Sequence, residues 1–92
     1  PDLVASGHRV SSLAAPYGFL FRNYPTLHHS VAAEALPSYM ILSGTSMAAP
    51  VVSGVAALML EANPSLSVGA VRAVLEFTAQ RLPNASLLAQ GA

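Results

Sequence analysis

An α/β fold is the architecture this sequence predicts, and three observations carry it. A short apolar run near 39–43 reads as a strand, a longer one near 46–61 as a helix, and an amphipathic stripe near 67–80 as a second helix. Where the strand meets the first helix lies Ser43-Gly44-Thr45-Ser46-Met47-Ala48-Ala49-Pro50, the stretch around which the chain is organised.

Taken in order, Asp2-Leu3-Val4-Ala5 predicts a strand over 2–5, closed by Gly7. Arg9-Val10-Ser11-Ser12-Leu13 predicts another before the Pro16-Tyr17-Gly18 turn. Residues 16–37 mix aromatic, histidine and alanine residues without a period and read as a surface insertion. Within it, a short helix over Ser30 to Leu36, capped by Ser30, is the one element suggested. Tyr39-Met40-Ile41-Leu42, bounded upstream by Pro37, has the β-branched and aromatic content of a buried strand. The run from Val51 to Leu60 is too long for a typical strand and closes at Asn63-Pro64, which suits a helix. Its small residues, Ala49, Ser53, Gly54, Ala56 and Ala57, let neighbouring elements come close, although Gly54 costs about 1 kcal/mol of helix stability relative to alanine. Ser67 is placed to cap the second helix, with apolar positions at Val68, Val71, Val74, Leu75 and Thr78. Arg72, Glu76 and Gln80 fall on its other face, Arg72 and Glu76 as i, i+4 partners. Asn84-Ala85-Ser86 has the form of a glycosylation sequon, a triplet common by chance.

Composition sets bounds on function. Of 92 residues, 53% are hydrophobic and only 9% charged, well under the usual quarter or so for a soluble domain. Such a chain reads as the interior portion of something larger, and its ends at Pro1 and at Gln90-Gly91-Ala92 read as cut. Net charge is zero, with four scattered arginines (Arg9, Arg22, Arg72, Arg81) and no basic patch for nucleic acid or an anionic membrane. The absence of cysteine excludes a disulfide framework and a thiolate metal site. Pro50 to Leu60 is the most hydrophobic segment but falls short of the roughly 20 residues that span a bilayer, so a buried core helix is expected.

Ser46 lies at or next to a helix N-terminus, where backbone N–H groups are unpaired and the dipole favours negative charge. Two readings share that position. In one, Thr45 or Ser46 caps the helix and Pro50 is a first-turn proline whose missing N–H costs nothing. In the other, Ser46 is a nucleophile whose own N–H helps hold an oxyanion. Position leaves both open.

The wider pattern separates them. Gly44-Thr45-Ser46-Met47-Ala48-Ala49-Pro50, followed by Val52-Ser53-Gly54, resembles the nucleophile segment of the subtilisin-like serine proteases, G-T-S-M-A-x-P-x-V-[AS]-G, at every specified position. Pro1-Asp2-Leu3-Val4-Ala5 is similar to the family's K-P-D-[LV]-V-A-P-G strand, with Ser6 where proline is usual. Asn63-Pro64-Ser65-Leu66-Ser67 and the later Thr78-Ala79 resemble its N-P-x-L-[ST]…T-A segment. The matches run in family order and cover most of the chain outside Pro16 to Pro37.

The resemblance implies a three-layer α/β/α sandwich with a mainly parallel sheet, of which only the C-terminal part is present. It implies serine endopeptidase chemistry through an acyl-enzyme on Ser46, with Thr45, Gly44 and Ser43 lining the oxyanion site and substrate cleft. The partners it implies are a polypeptide substrate and the upstream remainder of the catalytic domain, in a secreted or extracytoplasmic setting. Catalysis in the family needs no cofactor. Structural calcium is frequent in it, but four scattered acids do not make a site of about six oxygens here. The family's triad aspartate lies in D-[ST]-G, its histidine in H-G-T-H and its oxyanion asparagine in a G-N segment, and none of these occurs in this chain. Asp2, His8, His28, His29 and Ser46 do stand in the order Asp, His, Ser. Their surroundings nonetheless assign Asp2 a structural role and His28 and His29 to a solvated loop. Asn23, Asn63 and Asn84 likewise lack the oxyanion surroundings. The chain thus supplies a nucleophile without its base, and the isolated piece is expected to be inactive. The rival reading is a catalytically dead homologue in a binding or scaffold role. A small helical-hairpin module would explain the composition but leave the eight-residue motif to chance.

Overall fold

A computed structural model of the chain describes residues 1–29 and 39–91. These divide into two compact units, one of residues 7–47 and one of residues 1–6 with 48–92.

The first unit is built on a three-stranded sheet. Strands β1 (Val10–Leu13), β2 (His28–His29) and β3 (Tyr39–Leu42) lie in the order β1-β3-β2. β3 is central and antiparallel to both neighbours, Val10 opposite Leu42 and His28 opposite Met40. Its central place explains why Met40 is the one buried apolar side chain among the described residues. The expected parallel sheet is absent from the described residues, and the reason is topological. Parallel neighbours need a long crossover, usually a helix, and both long helices here follow the last strand.

The unperiodic stretch after Gly18 holds more structure than a surface insertion suggests. Helix α1 (Phe19–Asn23) and a single 3-10 turn (Pro25–Leu27) lead into β2. Asn23 donates from its side chain to the Phe19 carbonyl at 2.8 Å. His28 stacks on Phe21 with ring centroids 3.9 Å apart and donates its Nε2 proton to the Phe21 carbonyl at 2.7 Å. The loop assignment for His28 is therefore corrected: it is a half-buried strand residue that docks α1 on the sheet, while its neighbour His29 is exposed. The suggested helix over 30–36 lies outside the described residues.

Helix α2 (Thr45–Ala62) begins at the end of the first unit and continues through the second. It is 18 residues long, longer than the sequence indicates, and by length and composition alone could cross a membrane. No residue of α2 is buried by the rest of the chain. A helix apolar on most sides belongs in an interior, and these residues do not supply one for it.

In the second unit, residues 2–5 form no regular element, with Leu3 and Ala5 half-buried between exposed Asp2, Val4 and Ser6. The expected strand there is corrected to irregular, unpaired chain, because no described segment forms a ladder with it. Helix α3 (Val68–Thr78) starts where predicted: Ser67 caps it by accepting the Ala70 N–H at 3.2 Å. Its buried stripe differs from the predicted one. Ala70, Val71, Leu75 and the stem of Glu76 are half-buried, whereas Val68 and Val74 are exposed. Val71 and Leu75, with Val52, Ala56 and Leu60 of α2 and Leu3, line an apolar groove of about 660 Å³. Arg72 bridges Asp2 at 3.3 Å and Glu76 at 2.6 Å beside it.

The chain closes on a small polar lock. Gln90, at the end of helix α4 (Leu87–Gln90) and 5% exposed, accepts the Leu82 N–H at 2.6 Å. Its amide donates to the carbonyls of Leu82 and Ala85 at 3.3 and 2.7 Å. Gly91 follows with φ of +80°, and a Cβ there would come within 2.5 Å of the Pro1 and Asp2 backbone. Only glycine permits that approach of the two segments.

Candidate active site

β3 delivers the chain to Ser43, and α2 takes it up at Thr45. The reversal falls on Gly44, whose φ of +150° is a conformation that side-chain-bearing residues rarely adopt. Two hydrogen bonds tie this corner to the loop before β1: the Gly44 N–H donates to the Gly7 carbonyl at 2.8 Å, and the Arg9 N–H to the Ser43 hydroxyl at 2.8 Å. His8 Nδ1 lies 3.4 Å from the same hydroxyl. The Met47 N–H closes the first turn on the Gly44 carbonyl at 3.0 Å.

Thr45 and Ser46 therefore occupy the first two helical positions. Both are exposed, and among the described residues their amides find no acceptor and the Ser46 hydroxyl no partner. Neither hydroxyl acts as the cap that one sequence reading allowed, since both residues lie inside the helix. A hydroxyl so placed has free N–H groups beside it and the positive end of an 18-residue helix beneath it. Both stabilise negative charge that develops on or near that oxygen.

Pro50 is also corrected. With α2 starting at Thr45, it is the sixth helical residue, in the second turn. Its missing N–H would have bonded to the carbonyl four residues back, that of Ser46. The nucleophile candidate thus lacks its regular backbone bond at both its N–H and its carbonyl.

No base reaches Ser46 among the described residues. His28 is occupied by Phe21, and His8 is directed at Ser43. Asp2 pairs with Arg72. Asn23 bonds within α1, and Asn63 Oδ1 accepts from the N–H and hydroxyl of Ser65 at 3.2 and 2.6 Å, so both asparagines have local roles. Glu76, through its hydrogen bond and then its charge, raises Arg72 above its ordinary value, with Asp2 adding to this. No group of three or more His, Cys, Asp or Glu side chains able to hold a metal occurs among the described residues. The ties from Gly7, His8 and Arg9 were not legible in the sequence, because the partners stand 34 to 37 positions apart with no motif linking them.

A comparison with known proteins adds the decisive observation: the profile described as the subtilase family matches residues 1–92, the whole of the sequence. The chain belongs to the subtilase family. It is 37% identical over 87 residues to subtilisin-like protease SBT1.9 of Arabidopsis thaliana, a match covering 91% of this chain and 10% of that protein. It is 36% identical over 76 residues to serine protease AprX of Bacillus subtilis, covering 83% of this chain and 16% of that protein. A CO(2)-response secreted protease of Arabidopsis thaliana is 38% identical over 86 residues, covering 91% and 10%. The chain thus spans between about a tenth and a sixth of the length of these subtilase relatives. No solved structure matches it significantly. Subtilases are serine hydrolases, and the coarse α/β class agrees with the helices and sheet described above.

Proposed function

We propose that this chain is the nucleophile-bearing part of a serine endopeptidase that cleaves polypeptides through an acyl-enzyme on Ser46. One observation carries the reading: in a chain matched throughout to the subtilase family, Ser46 stands exposed in the first turn of α2 with amides beside it that find no acceptor among the described residues. In the proposed mechanism the Ser46 oxygen attacks the scissile carbonyl, and the bond from that carbon to its nitrogen breaks as the tetrahedral intermediate collapses. The Ser46 N–H faces the developing oxyanion, and the dipole of α2 lowers its energy. Ser43, Gly44 and Thr45 line the cleft at the scissile bond. The proton of Ser46 passes to a histidine outside this chain, oriented by an aspartate also outside it, and from there to the departing amine; water activated by the same histidine then hydrolyses the acyl-enzyme and restores the Ser46 hydroxyl. No cofactor enters this chemistry.

The upstream remainder of the catalytic domain completes the triad and covers the apolar surface of α2, which then serves as a core helix and not a membrane span. The parallel sheet and sandwich belong to that larger domain. An extracytoplasmic location accords with a relative that is named a secreted protease. Losing the base costs several orders of magnitude in rate, so the 92 residues alone show no Ser46-dependent hydrolysis.

The test is labelling of the full-length protein with a fluorophosphonate, the adduct being mapped by mass spectrometry, beside Ser46→Ala. Such probes report serines activated by a working base. An adduct on Ser46 that is lost in Ser46→Ala, together with peptide hydrolysis, is the expected result. Folded protein that takes no label would instead make the chain part of a non-catalytic homologue with a binding or scaffold role.

A further inference from the structure

We infer that Asn84 is a modification site, the acceptor of an N-linked oligosaccharide on a turn that stays at the surface of the complete protein. This rests on the extracytoplasmic setting proposed above and not on the catalytic role of Ser46.

The sequence supplies the triplet Asn84-Ala85-Ser86, and chance alone would place such triplets in helices, strands and interiors alike. The fold puts this one in the connection between α3 and α4, with Asn84 in a turn and both Asn84 and Ser86 exposed. Among the described residues neither side chain has a hydrogen-bond partner, and Ser86, at the cap position of α4, makes no capping bond. Asparagine in a turn commonly bonds backbone two residues on, and serine at a cap commonly accepts a first-turn amide. Elsewhere the chain follows both habits. Asn63 accepts from the Ser65 N–H, Asn23 bonds the Phe19 carbonyl, and Ser67 accepts the Ala70 N–H. Of the three asparagines, Asn84 alone is left with its amide in water.

The backbone around the triplet is held without either side chain. Gln90 binds both backbone groups of Leu82 and the Ala85 carbonyl. The Ala85 N–H returns to the Leu82 carbonyl at 3.3 Å, and the Ser86 carbonyl accepts from the Ala89 and Gln90 N–H groups at 3.0 and 3.1 Å. The lock thus fixes the turn and leaves the amide and the hydroxyl outward, one residue apart.

Polarity decides which way this turn faces when the rest of the domain is present. Arg81, Asn84 and Ser86 are all exposed without side-chain partners among the described residues. Packing them into an interior would desolvate a cation, an amide and a hydroxyl together, each costly to bury unpaired. Helix α2, apolar on most sides, is the opposite case. A turn kept in water has room for a bulky, hydrophilic oligosaccharide. Leu82, Leu87 and Leu88 flank the acceptor and are 52%, 56% and 91% exposed. A sugar chain rooted among them shields apolar surface that would otherwise meet water.

The reaction is a group transfer from an oligosaccharide carried on a polyprenyl diphosphate. The Asn84 side-chain nitrogen bonds to the anomeric carbon of the first sugar, and the bond from that carbon to the diphosphate oxygen breaks. The polyprenyl diphosphate leaves with the electron pair, and one amide proton passes to a base of the transferase. Ser86 is unchanged; its hydroxyl is the part of the triplet that marks the asparagine as an acceptor.

The experiment directs the full-length protein into the secretory pathway of yeast behind a fused leader, beside Asn84→Gln, Ser86→Ala and Ser86→Thr. The leader makes the result independent of the chain's own address, so an unmodified Asn84 cannot be blamed on location. Protein is recovered from the medium or, if retained, from the secretory membranes. The peptide holding residue 84 is then read by mass spectrometry before and after an N-glycosidase that converts a glycosylated asparagine to aspartate. Wild type and Ser86→Thr are expected to carry the oligosaccharide and to lose its mass on digestion; Asn84→Gln and Ser86→Ala are expected to lack it. Neither side chain is engaged in the fold, so these variants fold as wild type does. An unmodified asparagine in wild type overturns the proposal, and so does a sugar that survives Ser86→Ala. Fluorophosphonate labelling of the same samples separates the readings. Label on Ser46 with a bare Asn84 sinks this proposal alone, whereas a glycan without label supports it and sinks the enzymatic reading.

Discussion

Gly44 offers the sharpest test of how the corner before Ser46 is built. At φ of +150° an alanine is strained whatever space surrounds it, and residues forced into sparsely populated backbone regions cost about 1–3 kcal/mol. Space is not the obstacle. A Cβ would meet Met47 Sδ at 3.9 Å and the Ser46 nitrogen at 4.0 Å, ordinary van der Waals distances. The whole cost of Gly44→Ala is thus conformational, and the protein has two ways to meet it. If the corner keeps its shape, stability falls by about 1–3 kcal/mol with Ser46 in place. If the backbone relaxes, the Gly44 N–H leaves the Gly7 carbonyl and the first turn of α2 shifts. At about 1.4 kcal/mol per factor of ten, the reaction at Ser46 then slows by roughly 10- to 100-fold. The assay pairs a denaturation midpoint of the full-length protein with the rate of fluorophosphonate labelling. One of the two must move. Wild-type midpoint and wild-type rate in Gly44→Ala would refute the reasoning.

Other expectations concern the rest of the chain. Gln90→Leu strands the Leu82 N–H and the Leu82 and Ala85 carbonyls, and should lower stability by about 2 kcal/mol in chemical denaturation; an unchanged midpoint would show that water satisfies them equally well. His28→Ala removes both the stack on Phe21 and the bond to its carbonyl, for about 1–2 kcal/mol, whereas His28→Phe keeps the stack and should lose about half as much in the same measurement. Arg72 is exposed and held above its ordinary value by Glu76 and then Asp2. A cation whose folded value is raised contributes fully below its unfolded value and loses that contribution only as pH climbs through the folded one. The small stability difference between wild type and Arg72→Gln should accordingly be flat from about pH 6 to 9 and shrink in 1 M salt, as screening requires; a difference that grows or vanishes within that window would contradict the assignment.

Local rules carried much of the chain. The strand at Tyr39–Leu42, the helix after Gly44, the cap at Ser67 and the exposed hydroxyl of Ser46 are all short-range consequences of residue type and spacing, legible without coordinates. So was the family, because a nucleophile segment must put its serine, glycine and proline at fixed offsets along one turn. What escaped the sequence depends on partners far along the chain or beyond it. Residues 2–5 have the alternation of a strand, but a strand is defined by its neighbour, and no described segment lies beside it. The sheet runs antiparallel because β3 precedes both long helices, an ordering of elements and not a property of any one of them. His28 has no pattern that marks it as a docking residue; only the fold sets it against Phe21. The Ser43 hydroxyl likewise could not announce its ties to His8 and Arg9, since a hydrogen bond across 34 residues leaves no local periodicity to read. Sequence determined where Ser46 stands, through turn and helix chemistry acting over a few residues. Tertiary structure decided what holds it there, because contacts between distant segments are chosen by the packing of the whole.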